Sequence, residues 1–482
     1  MENGTPASQA AHVDSSLLET ITAFCQREKI AESTFGKLAV NDGKFVSRLR
    51  DGSRVTPETW EKVTGYISTR GGKVPAEIDP SALHVMSRDH LNLQSRQAAT
   101  EAEGEHKASG ERDFRFFDNR QKYLLFINTC SEKEKVAERV GRELRHITPT
   151  PPALRVFDAG IGDGTVLSRV FREMHCRFPT LPFYISGKEV SLEDVRLTLA
   201  KMADRLFEHP STVLVFTNMY YAEAPWLSPR NENMANKVEW KEVALKGNTA
   251  FQFDEQIKSL DDFLVSHWQA KHSPKTGNPI YEKPAVLVIY REDYRFLLDD
   301  VIPRKGPQRA DFDLVIASQP YRSRMSADFK VEKVVAPLTR ALGKGGRLLG
   351  IHSYGNDPGL EIVRRVWPGE DPFPTGRHDI LNALRNELAD ESGRYSYSAN
   401  SDDRAVFSYE MHALPTEIAS SIGTSTLFAA WNAAVYVAQI EDDRLNEVMT
   451  GRTYLEATQS VLKEYGGLWF NDETYVVVRK DS

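Results

Sequence analysis

Apolar side chains recur along this chain at two periods, and the change of period divides it. Between residues 15 and 70 they return every three to four positions, the spacing of one helix face. Leu17, Leu18, Ile21 and Phe24–Cys25 make the first such stripe. Ser33, a natural N-cap, opens a second short helix carrying Thr34–Phe35 and Leu38–Ala39. Asn41–Asp42–Gly43 turns the chain into Lys44–Arg50, with Phe45, Val46 and Leu49 on one side, and Asp51–Gly52 closes that helix. Thr56–Pro57, a cap followed by proline at the first helical position, predicts another helix with Trp60, Val63 and Ile67 inward. Residues 71–112 are poor in large apolar side chains and contain Gly71–Gly72, Pro75, Pro80 and the run ATEAEGEHKASGE, whose composition reads as a mobile linker.

From Phe114 onward short apolar runs alternate with helical-period stretches, the signature of a doubly wound, mostly parallel α/β sheet over residues 113–482. The pattern predicts helix Lys122–Leu144, strand Arg155–Ala159, helix Val166–His175, strand Phe183–Ser186, helix Leu192–Phe207 and strand Val213–Phe216. It resumes with strand Phe312–Ala317, helix Val331–Leu342, the turn Gly343–Gly346 and strand Arg347–His352. Residues 219–310 are too long for one crossover and hold an insertion with at least one strand, Ala285–Tyr290, and a helical stretch at Tyr294–Asp300. Val406–Met411, helix Leu427–Ile440 and Thr474–Arg479 supply the late elements.

Composition narrows the classes. The 482 residues are about three domains' worth of chain. Hydrophobic residues at 40% and charged residues at 27% are those of a soluble globular protein, not of a collagenous or disordered one. The balance of 61 basic against 68 acidic residues, a net charge of −7, excludes a polycation built to coat nucleic acid, though not a local basic face. Cys25, Cys130 and Cys176 are odd in number and far apart, which is no disulfide framework or zinc ligand set and fits a reducing cytoplasm. The N-terminus shows no secretory signal, and the apolar stretch Thr426–Ile440 is too short to span a bilayer. A cytoplasmic location is the expectation.

The strongest chemical signal is Val156-Phe157-Asp158-Ala159-Gly160-Ile161-Gly162-Asp163-Gly164-Thr165, a strand running into D-x-G-x-G-x-G just before a helix. Glycine suits a tight turn at the sheet's carboxyl edge, where a ligand must approach the backbone closely. The spacing lacks the third glycine offset of the dinucleotide motif G-x-G-x-x-G, which disfavours a dinucleotide-dependent oxidoreductase. A carboxylate at Asp158 would repel a pyrophosphate but suits a ligand carrying ammonium and sulfonium charge. Glu189, in SGKEVS at the end of the second strand, is placed to accept bonds from two ribose hydroxyls.

VFDAGIGDGT followed by YISGKEVS resembles the first two motifs of class I S-adenosylmethionine-dependent methyltransferases, over core elements from about Arg155 to Lys480 and outside the insertion. The resemblance implies a Rossmann-like core with S-adenosyl-L-methionine as cofactor. It implies that Gly160, Gly162 and Gly164 line the methionine end, that Asp158 meets the amino group directly or through water, and that Glu189 holds the ribose. Asn218, just past the third strand, stands where family members often contact adenine. Ala317-Ser318-Gln319-Pro320-Tyr321 resembles the N/D/S-P-P-Y/F signature of methyltransferases acting on amino or amide nitrogen, with Gln319 in place of the first proline. By that likeness Ser318, Gln319 and Tyr321 face the methyl acceptor. Methyl transfer from a sulfonium needs in-line positioning and a nucleophile with a free lone pair, so no separate base is demanded. The loop His352–Asp357 could also line the acceptor pocket or simply be solvated, while His175, His209, His267 and His272 show no metal-ligand spacing.

The segment from Ser33 to Val63 resembles the small helical DNA-binding domains of the lambda-repressor-like class. That likeness implies a helix–turn–helix whose second helix enters the major groove, with Lys44, Ser47, Arg48 and Arg50 reaching bases and phosphates and Arg54 adding a phosphate contact. Residues 15–70 carry nine basic against seven acidic residues, a net of +2, which is mild for a DNA reader; a helical protein-interaction or dimerisation module is the competing reading. Two functions are therefore expected to compete. One is a methyltransferase acting on a nitrogen or oxygen nucleophile of a planar small molecule, protein or nucleobase. The other is a DNA-binding regulator whose α/β domain senses S-adenosylmethionine without turnover. A homodimer is open under either.

Overall fold

The computed structural model describes residues 17, 18, 20–40, 42–50, 57–69, 120–273, 279–413, 415–419 and 422–480. They fall into two compact units, Met1–Glu111 and Arg112–Ser482. Arg54, the Thr56 cap, the Trp60 side chain and the expected linker 71–112 lie outside the described residues.

In the first unit, helices span 20–28, Glu32–Val40, Phe45–Arg50 and Pro57–Ser68. Leu17, Ile21, Phe24, Phe35, Phe45, Val46, Leu49, Val63 and Ile67 form their core. Phe24, Phe35 and Tyr66 meet edge to face, with centroids 5.6–6.1 Å apart. One expected core position is corrected: Leu38 is 56% exposed. Gly36 takes the inward place, because the backbone of Asp42 closes onto it and a Cβ there would stand 2.3 Å from the Asp42 carbonyl oxygen.

Among the described residues the second unit has twelve strands: β1 Leu154–Asp158, β2 Phe183–Lys188, β3 Thr212–Thr217, β4 Glu239–Leu245, β5 Ala270–His272, β6 Pro279–Tyr281, β7 Ala285–Arg291, β8 Phe312–Ser318, β9 Leu342–Ser353, β10 Tyr395–Ser398, β11 Val406–Glu410 and β12 Trp469–Arg479. The main sheet runs β10-β12-β9-β8-β1-β2-β3-β7-β4, with β11 also pairing β12. The pairs β3–β2, β2–β1, β1–β8 and β8–β9 are parallel, and β12 is antiparallel to β9. The insertion extends the sheet at the β3 edge with β7 and β4 and adds a β5–β6 hairpin.

Alternation along the strands loads both faces of this sheet. Val156, Ile185, Leu214, Leu314 and Ile316 pack on one side with helices Glu132–Leu144 and Thr165–Arg177. Phe157, Tyr184, Val215, Val315 and Ala317 pack on the other with Val334, Leu338, Ile380 and Leu384. The chain is thus a doubly wound, mostly parallel α/β sheet with a separate helical unit.

Several boundaries move for local reasons. The single helix expected over Lys122–Leu144 is two, Arg120–Thr129 and Glu132–Leu144, because Cys130 and the Ser131 N–H are drawn into bridges with Met411 and the Glu410 carbonyl. Leu192–Phe207 breaks at Ala200–Lys201, and Lys201 Nζ donates to the Asp163 carbonyl at 2.5 Å. The expected turn Gly343–Gly346 lies within the span of β9 as a bulge: the pairing with β8 steps from Phe312–Leu342 to Leu314–Arg347, and Gly345 has φ of +69°. The helix before it widens to a π turn over Val331–Val335 ahead of Pro337, which has no N–H to donate. Among the described residues no helix is long and apolar enough to cross a membrane.

Candidate functional site

After β1 the chain winds outward through β2 and β3; after the insertion it returns on the other side of β1 as β8. The crevice beyond the carboxyl ends of β1 and β8 is therefore the switch point, where open α/β sheets bind ligands. Asp158 ends β1 and Ser318 ends β8, so the two signals separated by 160 positions in the chain share one edge.

The glycine turn is held by its neighbours. Ala159 N–H donates to Ile316 O at 2.9 Å, Ile161 N–H to Lys188 O at 3.2 Å, and Gly162 N–H to Glu189 Oε2 at 2.9 Å. Thr198 Oγ1 donates to Gly162 O at 2.9 Å. Gly162 and Gly164 have φ of +56° and +77°, and a Cβ at Gly164 would stand 2.8 Å from Thr198 Cα. Gly160 differs from both. It is exposed, its φ is not positive, and a Cβ there would meet nothing within 4 Å. The fold thus gives Gly162 and Gly164 a reason to be glycine and gives Gly160 none.

Two buried carboxylates flank this turn. Asp158 Oδ1 accepts Gly160 N–H at 3.1 Å. Burial pushes its carboxyl up to about 6, opposed by the Gly160 bond and the Lys133 charge and reinforced by Glu189. Glu189 Oε1 accepts the N–H groups of Val190 and Ser191 at 2.8 and 2.9 Å. A carboxylate has about four lone-pair sites, and three are used, so one is left on Oε2.

Tyr221, Tyr123 and Lys133 join the site without a motif to announce them, and Lys188 joins from beside Glu189. Tyr221 donates to Pro320 O at 2.7 Å, tying the β3 side to the turn after β8. Burial, then the Glu189 and Asp158 charges, hold its hydroxyl well above the usual phenol range. Lys188 Nζ lies 4.6 Å from the Tyr221 ring centroid, and burial lowers its ammonium. Tyr123 sits over the turn, its hydroxyl 3.4 Å from Asp163 Oδ1, and Lys133 Nζ lies 5.8 Å from its ring.

Beyond β8 the turn is built differently from the glycine side. Gln319 has φ of +48°, and its Nε2 donates to Ser353 Oγ and Asp472 Oδ2, each at 3.2 Å. The side chain is therefore committed to β9 and β12, leaving its backbone at the edge. Tyr321 OH lies 3.3 Å from Tyr475 OH, and its ring stands edge-on to His352 at 5.9 Å. His352 and Glu473 are cross-strand partners, Nε2 to Oε1 at 3.0 Å, and Glu473 also binds Arg377 Nη1 at 2.5 Å. Burial raises the Glu473 carboxyl, but His352 and Arg377 outweigh it and leave the group below its ordinary range. One sequence signal pointed here: Asp472–Glu473 interrupts the apolar run of β12 with two carboxylates.

Asn218 is tied to the insertion. Its Nδ2 donates to His267 O at 3.3 Å and Lys283 O at 2.8 Å, and its Oδ1 accepts Ala285 N–H at 2.9 Å. The amide clamps the base of the insertion onto β3, with both Nδ2 hydrogens and one of the two Oδ1 lone pairs used. Asn218→Ala is accordingly expected to cost about 1–3 kcal/mol in chemical denaturation while S-adenosylhomocysteine affinity stays within twofold. His209 serves packing: its ring stacks on Phe183 at 3.7 Å and its Nε2 lies 2.9 Å from Leu181 O.

No family model matches the chain, and no curated protein matches it. Solved structures similar to it include the [4+2]-cyclase SpnF, with 13% identity over 71% of this chain and 80% of that one at a TM-score of 0.29. A geranyl diphosphate methyltransferase in complex with GPP and sinefungin has 12% identity over 72% and 76%, at 0.26. A putative sarcosine dimethylglycine methyltransferase from Galdieria sulphuraria has 10% identity over 73% and 86%, at 0.28. A cyclase stands beside methyltransferases in this set, and the chemistry of each neighbour is its own.

In the first unit, Lys44, Arg48 and Arg50 lie on or beside the six-residue helix Phe45–Arg50. Arg48 is ion-paired with Asp42, and Arg50 Nη2 lies 2.7 Å from Glu32 Oε1. The two guanidinium groups expected to meet DNA are thus partly neutralised within the unit, although exposed pairs of this kind hold weakly.

Proposed function

We propose that the second unit is an S-adenosylmethionine-dependent methyltransferase acting on a nitrogen or oxygen nucleophile. The observation that carries this reading is Gly160, a glycine with no conformational or steric need to be one, exposed at the switch point beside two buried carboxylates. Space where a side chain would stand suits a ligand lying against the backbone.

The residues present fit the cofactor. Asp158, once ionised, would hold the ammonium end, Gly160 would admit the chain between ammonium and sulfonium, and the remaining lone pair of Glu189 would take one ribose hydroxyl. The bound cofactor supplies an electrophilic methyl group on a sulfonium sulfur. Ser318 and the Gln319 backbone would orient the acceptor's lone pair, and Tyr321 would flank it. Tyr221 fixes the distance between the two halves through its bond to Pro320. Water exclusion falls to Tyr123 and the helix Arg120–Thr129 that carries it.

Two measurements test the reading. Calorimetric titration with S-adenosylhomocysteine should show binding that Asp158→Ala weakens; binding left unchanged by that substitution defeats the site assignment. Incubation with methyl-tritiated S-adenosylmethionine and cell lysate should label one of the nucleic acid, protein or small-molecule fractions. Cofactor binding with no labelled fraction would instead support the regulator that senses S-adenosylmethionine, and filter binding to duplex DNA in a salt series would then test its helical unit.

A further inference from the structure

At the switch point Gly160 looks out, while the carboxylates that flank it do not: Asp158 is 3% exposed and Glu189 8%. Part of the cover comes from outside the sheet. Tyr123, on the helix Arg120–Thr129, is buried, and its hydroxyl accepts Asp163 N–H at 3.4 Å and lies as far from Asp163 Oδ1. The same oxygen would stand 3.1 Å from a Cβ at Gly162, whose N–H is bonded to Glu189. Gly162 thus links Gly160 to Glu189, and a ligand that uses both groups meets Tyr123.

The two ends of that helix are held differently. Its carboxyl end is bridged through the backbone: His412 N–H donates to Thr129 O at 2.7 Å and Ser131 N–H to Glu410 O at 2.9 Å, while Cys130 pairs with Met411. Its amino end is held by side chains. Lys122 Nζ lies 2.5 Å from Oδ1 of the half-exposed Asp442, and Asn432 Nδ2 donates to Lys122 O at 3.0 Å. Between the ends, Phe126 and Tyr123 lean on Tyr436, with centroids 4.7 and 6.1 Å apart. Asn432 and Tyr436 belong to the helix Thr424–Val437, which is itself tied to the turn after β8. Ser323 N–H and Oγ donate to Gln439 Oε1 at 3.1 and 3.2 Å, and Arg324 Nη1 donates to Ala438 O at 2.8 Å. A partly exposed ion pair and a lone amide bond open more readily than backbone bridges, and the 3.4 Å contacts of Tyr123 are long for hydrogen bonds.

We infer that the helix Arg120–Thr129 is a gate over the glycine turn, hinged at Thr129–Ser131 and latched at its amino end by Asn432 and Asp442. It opens to admit the ligand and closes on it, bringing Tyr123 back over Gly162 and Asp163. That the ligand is S-adenosylmethionine rests on the methyltransferase reading; the gate itself does not. Entry and release then share one opening step. The latch stabilises the closed gate equally whether the site is empty or filled, so it sets how often the gate opens and leaves the affinity alone.

The test compares the full chain with the double variant Asn432→Ala/Asp442→Ala. Without ligand, hydrogen exchange of the turn amides at residues 160–165 is expected to quicken about fivefold or more in the double variant, the equivalent of one lost hydrogen bond, while exchange in β2 keeps its rate. Surface plasmon resonance with S-adenosylhomocysteine should show association and release accelerated by one common factor, with Kd held within about twofold. Turn exchange at the parent's rate overturns the gate. So does faster release with unchanged association, which would make the two residues supports of the bound ligand. If the double variant does not fold, Asp442→Ala alone decides by the same criteria, with an expected change of about twofold for an exposed ion pair. Failure of S-adenosylhomocysteine to bind would sink the methyltransferase reading alone, because the exchange is read without it.

Discussion

Asp158→Asn weakens S-adenosylhomocysteine binding by roughly ten- to a hundredfold at pH 7.5, about 1.5–3 kcal/mol for a hydrogen bond between charged groups. The unmodified chain should also bind more tightly as pH rises through about 6. Below that value the buried carboxyl is protonated, since burial lifts it there, and it offers a cation no charge; above it the group is ionised. Asp158→Asn should flatten that dependence. The stability effect has the opposite sign. A carboxyl whose folded value lies above its unfolded one costs the fold stability at neutral pH, and the cost fades as pH falls through about 6 toward 4. The variant is therefore expected to be no less resistant to urea than the parent at pH 7.5, its amide oxygen still accepting Gly160 N–H. Loss of binding together with loss of stability would make Asp158 a structural residue and remove it from the site.

The three glycines of the turn should separate in a second experiment. Gly164→Ala forces φ of +77° on a residue with a Cβ and drives that carbon to 2.8 Å from Thr198 Cα and 2.7 Å from its Oγ1. The left-handed backbone costs roughly 1–2 kcal/mol and the overlap adds a packing cost of similar size, so about 2–4 kcal/mol should be lost in chemical denaturation. Gly160→Ala meets nothing and keeps an ordinary φ, so stability should stay within about 0.5 kcal/mol. Its S-adenosylhomocysteine affinity should nevertheless fall about tenfold or more, because the methyl occupies space offered to the ligand. A Gly160→Ala chain that binds normally would mean the glycine serves no ligand, and the observation behind the proposed function would be gone.

Legibility differs between the two halves of the site. The glycine side can be read because one continuous segment carries it: a β-strand, its turn and the following helix cap are local, and Asp158 to Thr165 holds them all. Glu189 is readable for the same reason, ending the next strand, although its partner Gly162 is a tertiary fact. The far side is not. Gln319 reads locally as facing an acceptor, whereas Asp472, in a strand more than 150 residues later, draws its amide away. The three hydrogen bonds of the Asn218 side chain come from the insertion, whose docking no local pattern encodes.

By itself, then, the sequence determined what depends on neighbours in the chain: the alternation that makes β1, β2, β3 and β8, the glycine turn, and a helical unit set apart from an α/β one. Strand-to-strand order belongs to the tertiary structure, and so do its consequences. Placing β8 beside β1 created the crevice, and pairing β12 with β9 set Glu473 against His352. It also decided which buried charges found partners. Asp158 did not find enough of them, and desolvation makes such a group expensive to keep unless a ligand completes it.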